Sequence, residues 1–245
     1  MTTDLSGKVI VVTGGARGQG AAHTRRLAER GAVVYALDLR DELGTALQDE
    51  LTGRGLDVRY RHHDVVSEAD WDALVRHIDS AHGSLDVLVN NAGILHIAEI
   101  AEQTLAEFEQ VMAVNCTGVF LGMNRCWELL ARARGSIVNI ASVFGLHSNT
   151  GFVAYTASKA AVVGMTRTAA VEGARVGIRA NCISPGNVRA QPQRDEGEAY
   201  VRDISPMRRG ADPDEISTVV EFLASPASSY VTGAEIPVDG GFSVV

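Results

Sequence analysis

The chain has 245 residues, of which 46% are hydrophobic and 21% charged, proportions that suit one globular domain with a full core and exclude disordered and fibrous architectures. A formal net charge of −8 and a pI near 5.4 leave no basic excess for a phosphate backbone, so nucleic acid is not an expected partner. Met1 to Lys8 carries Asp4 and no apolar stretch, and no segment offers about 18 uninterrupted apolar residues, so neither export nor a membrane partner is expected.

Apolar runs bounded by turn residues alternate with amphipathic stretches from start to finish, the pattern of repeated βαβ units around a parallel sheet. A first strand is expected over Lys8–Thr13, then a glycine-rich turn and a helix over Gly18–Arg30 that Gly31 stops. A second strand, Ala32–Asp38, leads to a helix near Glu42–Thr52 and, past Gly53 and Gly55, to a third strand over Asp57–His63. Glu68–His82 reads as a helix capped by Ser67, and Leu85–Asn90 as a short buried fourth strand. Thr104–Arg132 reads as one long helix, opened by a capping box of Thr104 and Glu107, followed by a fifth strand over Ser136–Ala141. A helix over Val153–Val176 and a sixth strand over Ile178–Ser184 end at Pro185-Gly186. Asn187–Gly210 loses all periodicity and reads as a substrate lid. Asp214–Ala224, with Pro213 in its first turn, is a last helix, and Glu235–Val238 a last strand. Cys116, Cys126 and Cys182 lack C-x-x-C spacing, so they read as small buried hydrophobes of a cytoplasmic protein, with neither disulfides nor a metal site.

Two regions carry chemistry. Thr13-Gly14-Gly15-Ala16-Arg17-Gly18-Gln19-Gly20 lies between a strand and a helix, where a pyrophosphate can meet the free N–H groups of the helix start. Gly14 permits the tight turn, and Gly18 and Gly20 allow close approach of backbone and ligand. Asp38, at the end of the second strand, can accept from an adenosine ribose and repel a 2′-phosphate, which favours NAD over NADP. Arg17 and Arg40 pull the other way, since either guanidinium could pair with a 2′-phosphate. Further along, Tyr155-Thr156-Ala157-Ser158-Lys159 puts a phenol and an amine four apart on one helix face, in a chain with only two lysines. An adjacent ammonium and an oxidised nicotinamide ring would both favour the phenolate, so Tyr155 can exchange a proton with an alcohol or alkoxide.

These motifs occur in order with Asp64-Val65, Asn90-Asn91-Ala92-Gly93, Asn115, Ser142 and Pro185-Gly186, and together the chain resembles the short-chain dehydrogenase/reductase family over nearly its whole length. The resemblance implies a single-domain Rossmann-like α/β fold, a doubly wound parallel sheet with helices on both faces, and hydride transfer between NAD(H) and a secondary alcohol or ketone. It implies that Ser142 holds the substrate oxygen, that Lys159 also binds the nicotinamide ribose, and that Asn115 completes a proton relay through water. An Asn inside a helix can open a local bend for such a water. By the same resemblance Gly14, Arg17, Gly18, Gln19 and Gly20 line the phosphates, Asp64 and Val65 meet the adenine, Asn91, Ala92 and Gly93 form a floor, and Pro185, Gly186 and Val188 face the nicotinamide. The family usually carries a Thr where this chain has Ala190.

His96, Phe144, His147, Asn187 and Tyr200 are candidates to line the substrate pocket, and the charge of Gln191–Arg202 makes a polar or hydroxylated substrate possible. The resemblance also implies a homotetramer built on the two long helices. Gly118, Gly122, Ala157, Ala160, Ala161 and Gly164 offer small surfaces that could meet a partner or pack on their own sheet. Two alternatives remain at this stage: an NADPH-dependent 3-ketoacyl-type ketoreductase drawing on Arg17 and Arg40, and a non-catalytic dinucleotide sensor, which would have no need of Ser142, Tyr155 and Lys159.

Overall fold

The structure, a computed structural model, describes residues 3–189 and 205–245. Seven parallel strands form one sheet in the order β3-β2-β1-β4-β5-β6-β7. They are β1 (Val9–Thr13), β2 (Val33–Asp38), β3 (Val58–His62), β4 (Val87–Asn90), β5 (Ser136–Ile140), β6 (Arg179–Pro185) and β7 (Glu235–Val238). Central strands β1, β4 and β5 are buried at every position, as strands covered on both faces must be. The edge strand β7 accommodates Pro237, which could not donate to a ladder on both sides.

Alternate residues of β1 feed two cores, because successive side chains of a strand point to opposite faces. Val9 and Val11 face Trp71, Leu129 and Val162, whereas Ile10 and Val12 face Leu27, Leu51 and Ile216. The first core is covered by α3 (Glu68–His82), α5 (Gly118–Ala133) and α6 (Val153–Ala174). The second is covered by α1 (Gly18–Glu29), α2 (Asp41–Gly53) and α7 (Pro213–Ala224). The doubly wound, Rossmann-like architecture expected from the sequence is the one observed. Its order reverses between β1 and β4, and in open α/β sheets ligands bind at the carboxyl ends of the strands beside such a point.

One local expectation changes. The span expected as one helix over Thr104–Arg132 is α4 (Leu105–Met112), a π-helical turn over Ala113–Thr117, and α5. The Thr104–Glu107 capping box is present as expected, and the π turn follows because Gly118 N–H reaches back five residues to Ala113 O. Short 3₁₀ turns at Val143–Gly145, Pro226–Ser228 and Phe242–Val244 carry no periodicity long enough to read in sequence. Asp212 and Glu215 form a second capping box that starts α7 at Pro213. Of the expected lid, 187–189 and 205–210 lie in the described part. Arg189 N–H donates to Ala211 O and Ala211 N–H to Asn187 O, which tethers the two flanks of the segment to each other.

Candidate active site

At the carboxyl end of β1 the backbone of 14–20 turns into α1. Arg17 occupies the N-cap position without a capping side chain, and no acidic residue sits in the first turn, so the positive end of the helix stays open to an anion. Gly18 has φ +54° with nothing within 4 Å of where a Cβ would stand, so its conformation, not crowding by the protein, calls for glycine. Gly20 differs from the expectation: a Cβ there would come within 1.9 Å of Gly14 O, so the space it leaves is filled by the loop itself. Arg17 is exposed and Gln19 half-buried, with Gln19 Oε1 enclosed and lacking a hydrogen-bond partner among the described residues. Asp38 is half-buried at the end of β2. Its carboxylate accepts from Ala16 N–H at 3.2 Å and from Arg40 N–H at 3.2 Å, which ties it to the glycine-rich loop.

The next turns hold that loop from the other side. Asn91 does not present its amide outward: its Nδ2 donates to Thr13 O at 2.9 Å and to Gly14 O at 3.3 Å. Thr13 Oγ1 accepts from the N–H groups of Asn91 and Ala92 at 2.9 and 3.0 Å, which makes Thr13 a clamp that sequence spacing alone did not single out. Asp64 Oδ1 accepts from Val66 N–H, and the buried Val65 accepts from Trp71 Nε1. Gly93 is exposed, and a Cβ on it would stand 3.4 Å from Asn115 Oδ1 and 3.5 Å from Lys159 Nζ, so its backbone lies open beside the amine. Pro185 closes β6, and Gly186 passes so near Asp239 that a Cβ would lie 2.8 Å from its Cα. Val188 pairs with Ala211 through the polar groups of its neighbours, which turns its own N–H and C=O to the opposite side.

Beyond β5 the side chains converge. Ser142 is buried, caps the 3₁₀ turn by accepting from Phe144 N–H at 3.2 Å, and hydrogen-bonds the Tyr155 hydroxyl. One turn along α6 from Tyr155, the Lys159 ammonium lies 5.6 Å from the phenol ring centroid and donates to Ile140 O at 2.8 Å. The expected acidification of Tyr155 is absent from the protein alone. Burial raises its pKa, the Ser142 hydrogen bond opposes that rise, and the same burial pushes Lys159 down to about 8.

Asn115 sits in the π turn, fully buried. Its Oδ1 accepts from Ile94 N–H at 2.8 Å, and its Nδ2 donates to Ile94 O at 2.9 Å and to Ser158 Oγ at 3.1 Å. Ser158 Oγ in turn donates to Tyr155 O at 2.7 Å. The side chain expected to open a bend therefore does sit in one, while its own polar atoms clamp the loop after β4 to the Tyr155 turn.

The candidate substrate residues divide. Phe144 and His147 lie on the rim, joined by two aromatic residues that spacing did not reveal. Phe152 packs 6.1 Å from Tyr155 and 4.9 Å from Phe144, and Phe242 packs 5.9 Å from Phe144 and 5.7 Å from His147, centroid to centroid. His96 is drawn instead to the start of α4, where Nε2 stands 3.2 Å from Glu107 Oε1. Asn187 lines a small cavity with Met207, Asp239 and Phe242. Tyr200, Ala190 and the charged run Gln191–Arg202 lie outside the described residues.

Three features fit a dinucleotide: the open, uncapped start of α1, the carboxylate fixed beside it, and the exposed Gly93 floor next to a buried amine. Among the described residues no cluster of His, Cys, Asp or Glu could hold a metal ion, and no helix is long and apolar enough to cross a membrane. All three cysteines are free, two of them buried and Cys116 partly so.

Comparison with known proteins agrees. A family described as enoyl-(acyl carrier protein) reductase matches residues 14–243. A 3-alpha-(or 20-beta)-hydroxysteroid dehydrogenase of Mycobacterium tuberculosis is 45% identical over 98% of this chain and 91% of its own length. A cyclopentanol dehydrogenase of Comamonas testosteroni is 37% identical over 98% of both chains. The crystal structure of a gluconate 5-dehydrogenase from Burkholderia cenocepacia J2315, in complex with NADP and tartrate, superposes with a TM-score of 0.93 at 29% identity, covering 99% of this chain and 98% of the other.

Proposed function

The chain belongs to the short-chain dehydrogenase/reductase family, and from that premise we propose that it interconverts a secondary alcohol and its ketone with NAD(H), using Tyr155 as general acid and base. One observation carries the reading: Ser142, Tyr155 and Lys159 are packed together at the carboxyl edge of the sheet beside the open glycine-rich cradle.

Gly14, Arg17, Gly18, Gln19 and Gly20 would hold the phosphates, Asp38 the adenosine ribose, Asp64 and Val65 the adenine, and Pro185, Gly186 and Val188 the nicotinamide. Ala92 and Gly93 would form the floor, with Asn91 holding it up from behind. Bound there, the oxidised dinucleotide supplies the acceptor for the hydride leaving the carbinol carbon and a positive charge. Ser142 fixes the substrate oxygen, and the phenolate oxygen of Tyr155 takes the hydroxyl proton; in reduction Tyr155 returns it to the alkoxide. Burial makes the phenolate costly, so Tyr155 depends on nearby positive charge, part of which the Lys159 ammonium provides. An ammonium has three N–H groups. One is spent on Ile140 O, which sets the side chain's direction and leaves others for the ribose and for a relay past Asn115.

NAD is the favoured dinucleotide because the Asp38 carboxylate is held in place by two backbone N–H groups, whereas Arg17 and Arg40 are exposed. The test is kcat/KM for one secondary alcohol with NAD and with NADP. A preference for NAD of tenfold or more is expected, and a preference for NADP would overturn the assignment in favour of the ketoreductase alternative.

The homotetramer is supported by the α5–α6 face. It carries a groove of about 660 Å³ lined by Phe120, Trp127, Gly164 and Met165, and a Cβ at Gly164 would meet nothing within 4 Å. Gly118 and Gly122 play no part there, since their missing side chains make room for Val65 and for Asn90 and Trp71 of the same chain. Free cysteines support a cytoplasmic setting.

A further inference from the structure

The rim around Tyr155 is uncharged and exposes large apolar side chains beside the polar run His147–Thr150. No Asp, Glu, Lys or Arg occurs between Ser142 and Tyr155, nor from Asn91 to Ala98, the two segments that flank the reacting group. Ile97 packs where a Cβ on Gly151 would otherwise stand, and Ala98 N–H donates to Gly151 O at 3.1 Å, so the two segments form one continuous edge. Along it Leu95 is 50% exposed, Ile97 60% and Leu146 65%, a concentration of uncovered apolar surface beside a catalytic group.

From Tyr155 a string of partly exposed rings runs through Phe152, Phe144 and Phe242 to His147, each pair at tilted or edge-on angles. Phe242 arrives from the far end of the chain and is fixed there. The Asp239 carboxylate accepts from Gly241 N–H at 2.9 Å and from Ser243 N–H at 2.8 Å, and Asp239 O accepts from Phe242 N–H. Such a wall offers faces and edges to a hydrocarbon body and few hydrogen bonds to hydroxyl groups.

We infer that the substrate is a bulky apolar secondary alcohol, ring-built and larger than a single five- or six-membered ring, and that Phe144 and Phe242 determine that specificity. The inference rests on the reading of Tyr155 as the proton-exchanging group of an alcohol oxidoreductase. It departs from the polar substrate that the charge of Gln191–Arg202 made possible, because the two segments that flank Tyr155 carry no Asp, Glu, Lys or Arg.

The experiment measures kcat/KM with NAD for 2-butanol, cyclohexanol, 2-decalol and gluconate. Burial of ring methylenes should raise kcat/KM by roughly fourfold per group, mostly through KM, so that 2-decalol exceeds cyclohexanol by tenfold or more. Gluconate should be at least a hundredfold poorer than 2-decalol. Phe242→Leu and Phe144→Leu should each lower the 2-decalol to 2-butanol ratio by fivefold or more, and dinucleotide binding by fluorescence shows that the variants are folded. A flat series, a preference for gluconate, or an unchanged ratio in both variants would overturn the inference while leaving the oxidoreductase reading intact. If neither the alcohols nor the matching ketones turn over with NAD(H) or NADP(H), the underlying reading fails first.

Discussion

The cradle beside β1 and the wall beside β5 and α6 are built on opposite plans. In the cradle, on the proposed reading, backbone would do the binding, and the side chains that matter are those kept out, as at Gly20 and Gly93. In the wall, on the proposed reading, side chains would do the chemistry, and each is fixed by a partner: Lys159 by Ile140 O, Asn115 by Ile94 and Ser158, Ser142 by its bond to Tyr155. The contrast teaches where each half can fail. Adding atoms should break the cradle, and removing single atoms should silence the wall while leaving it standing.

The largest effect should come from one oxygen. Tyr155→Phe removes the group proposed to exchange the proton, and turnover of a secondary alcohol should fall about a thousandfold. Loss of the hydrogen bond to Ser142 should cost only about 1 kcal/mol of stability in urea unfolding, and NAD affinity should change less than threefold. A comparable loss of NAD binding would mean that wall and cradle are not separable.

Gly20→Ala is the converse test. A Cβ 1.9 Å from Gly14 O forces backbone apart, which should cost about 2–3 kcal/mol in unfolding and weaken NAD by tenfold or more. Gly18→Ala meets no atom and carries only left-handed strain of about 1–2 kcal/mol, so it should be the milder of the two in stability. Reversal of that order would refute the view that Gly20 serves the loop's own packing.

The same contrast explains what the sequence disclosed. Tyr155 and Lys159 are four apart on one helix, and Gly14 to Gly20 with Asp38 follow from one strand–turn–helix unit and its neighbour, so local spacing suffices to place them. Thr13 meets Asn91 across 78 residues, and Phe144 meets Phe242 from the opposite end of the chain, contacts that no periodicity encodes. Asn115 could be read as able to bend one long helix, but the split of that helix and the bond to Ser158 depend on how α6 docks. The balance of effects on Tyr155 divides for a related reason. Neighbouring charge can be inferred from spacing, whereas depth of burial, here the larger effect, belongs to the packed molecule.

Support for the cradle from below gives a smaller, pH-dependent effect. His23 on α1 is buried against α7, where Ser217 Oγ donates to Pro213 O and so accepts from His23 Nδ1–H at 2.7 Å. That leaves Nε2 enclosed without a partner among the described residues, and burial pushes the pKa down to about 3. Because the folded pKa lies below the unfolded value near 6.5, the unfolded chain binds the extra proton first. The stability is complete above about pH 6.5 and is lost as pH falls toward 3, by about 2 kcal/mol at pH 5. His23→Asn keeps a donor toward Ser217 and should flatten this acid limb in thermal unfolding between pH 7 and 5; an unchanged slope would assign the limb to other groups.

The smallest expected effect probes the one place where the cradle relies on a charge. Asp38 is bound to Ala16 N–H and Arg40 N–H, so it shapes the loop, and in the proposed reading it would also face the ribose. Asp38→Ser removes the repulsion of a 2′-phosphate, and with Arg17 and Arg40 close by in sequence, the NAD to NADP ratio of kcat/KM should drop about tenfold, or roughly 1.4 kcal/mol. Ser can still accept from a backbone N–H, so the loop should keep its shape and kcat with NAD should hold within a fewfold. If the ratio stays put while kcat collapses, the carboxylate is a brace of the loop and not a discriminator, and the cradle would be backbone-built throughout.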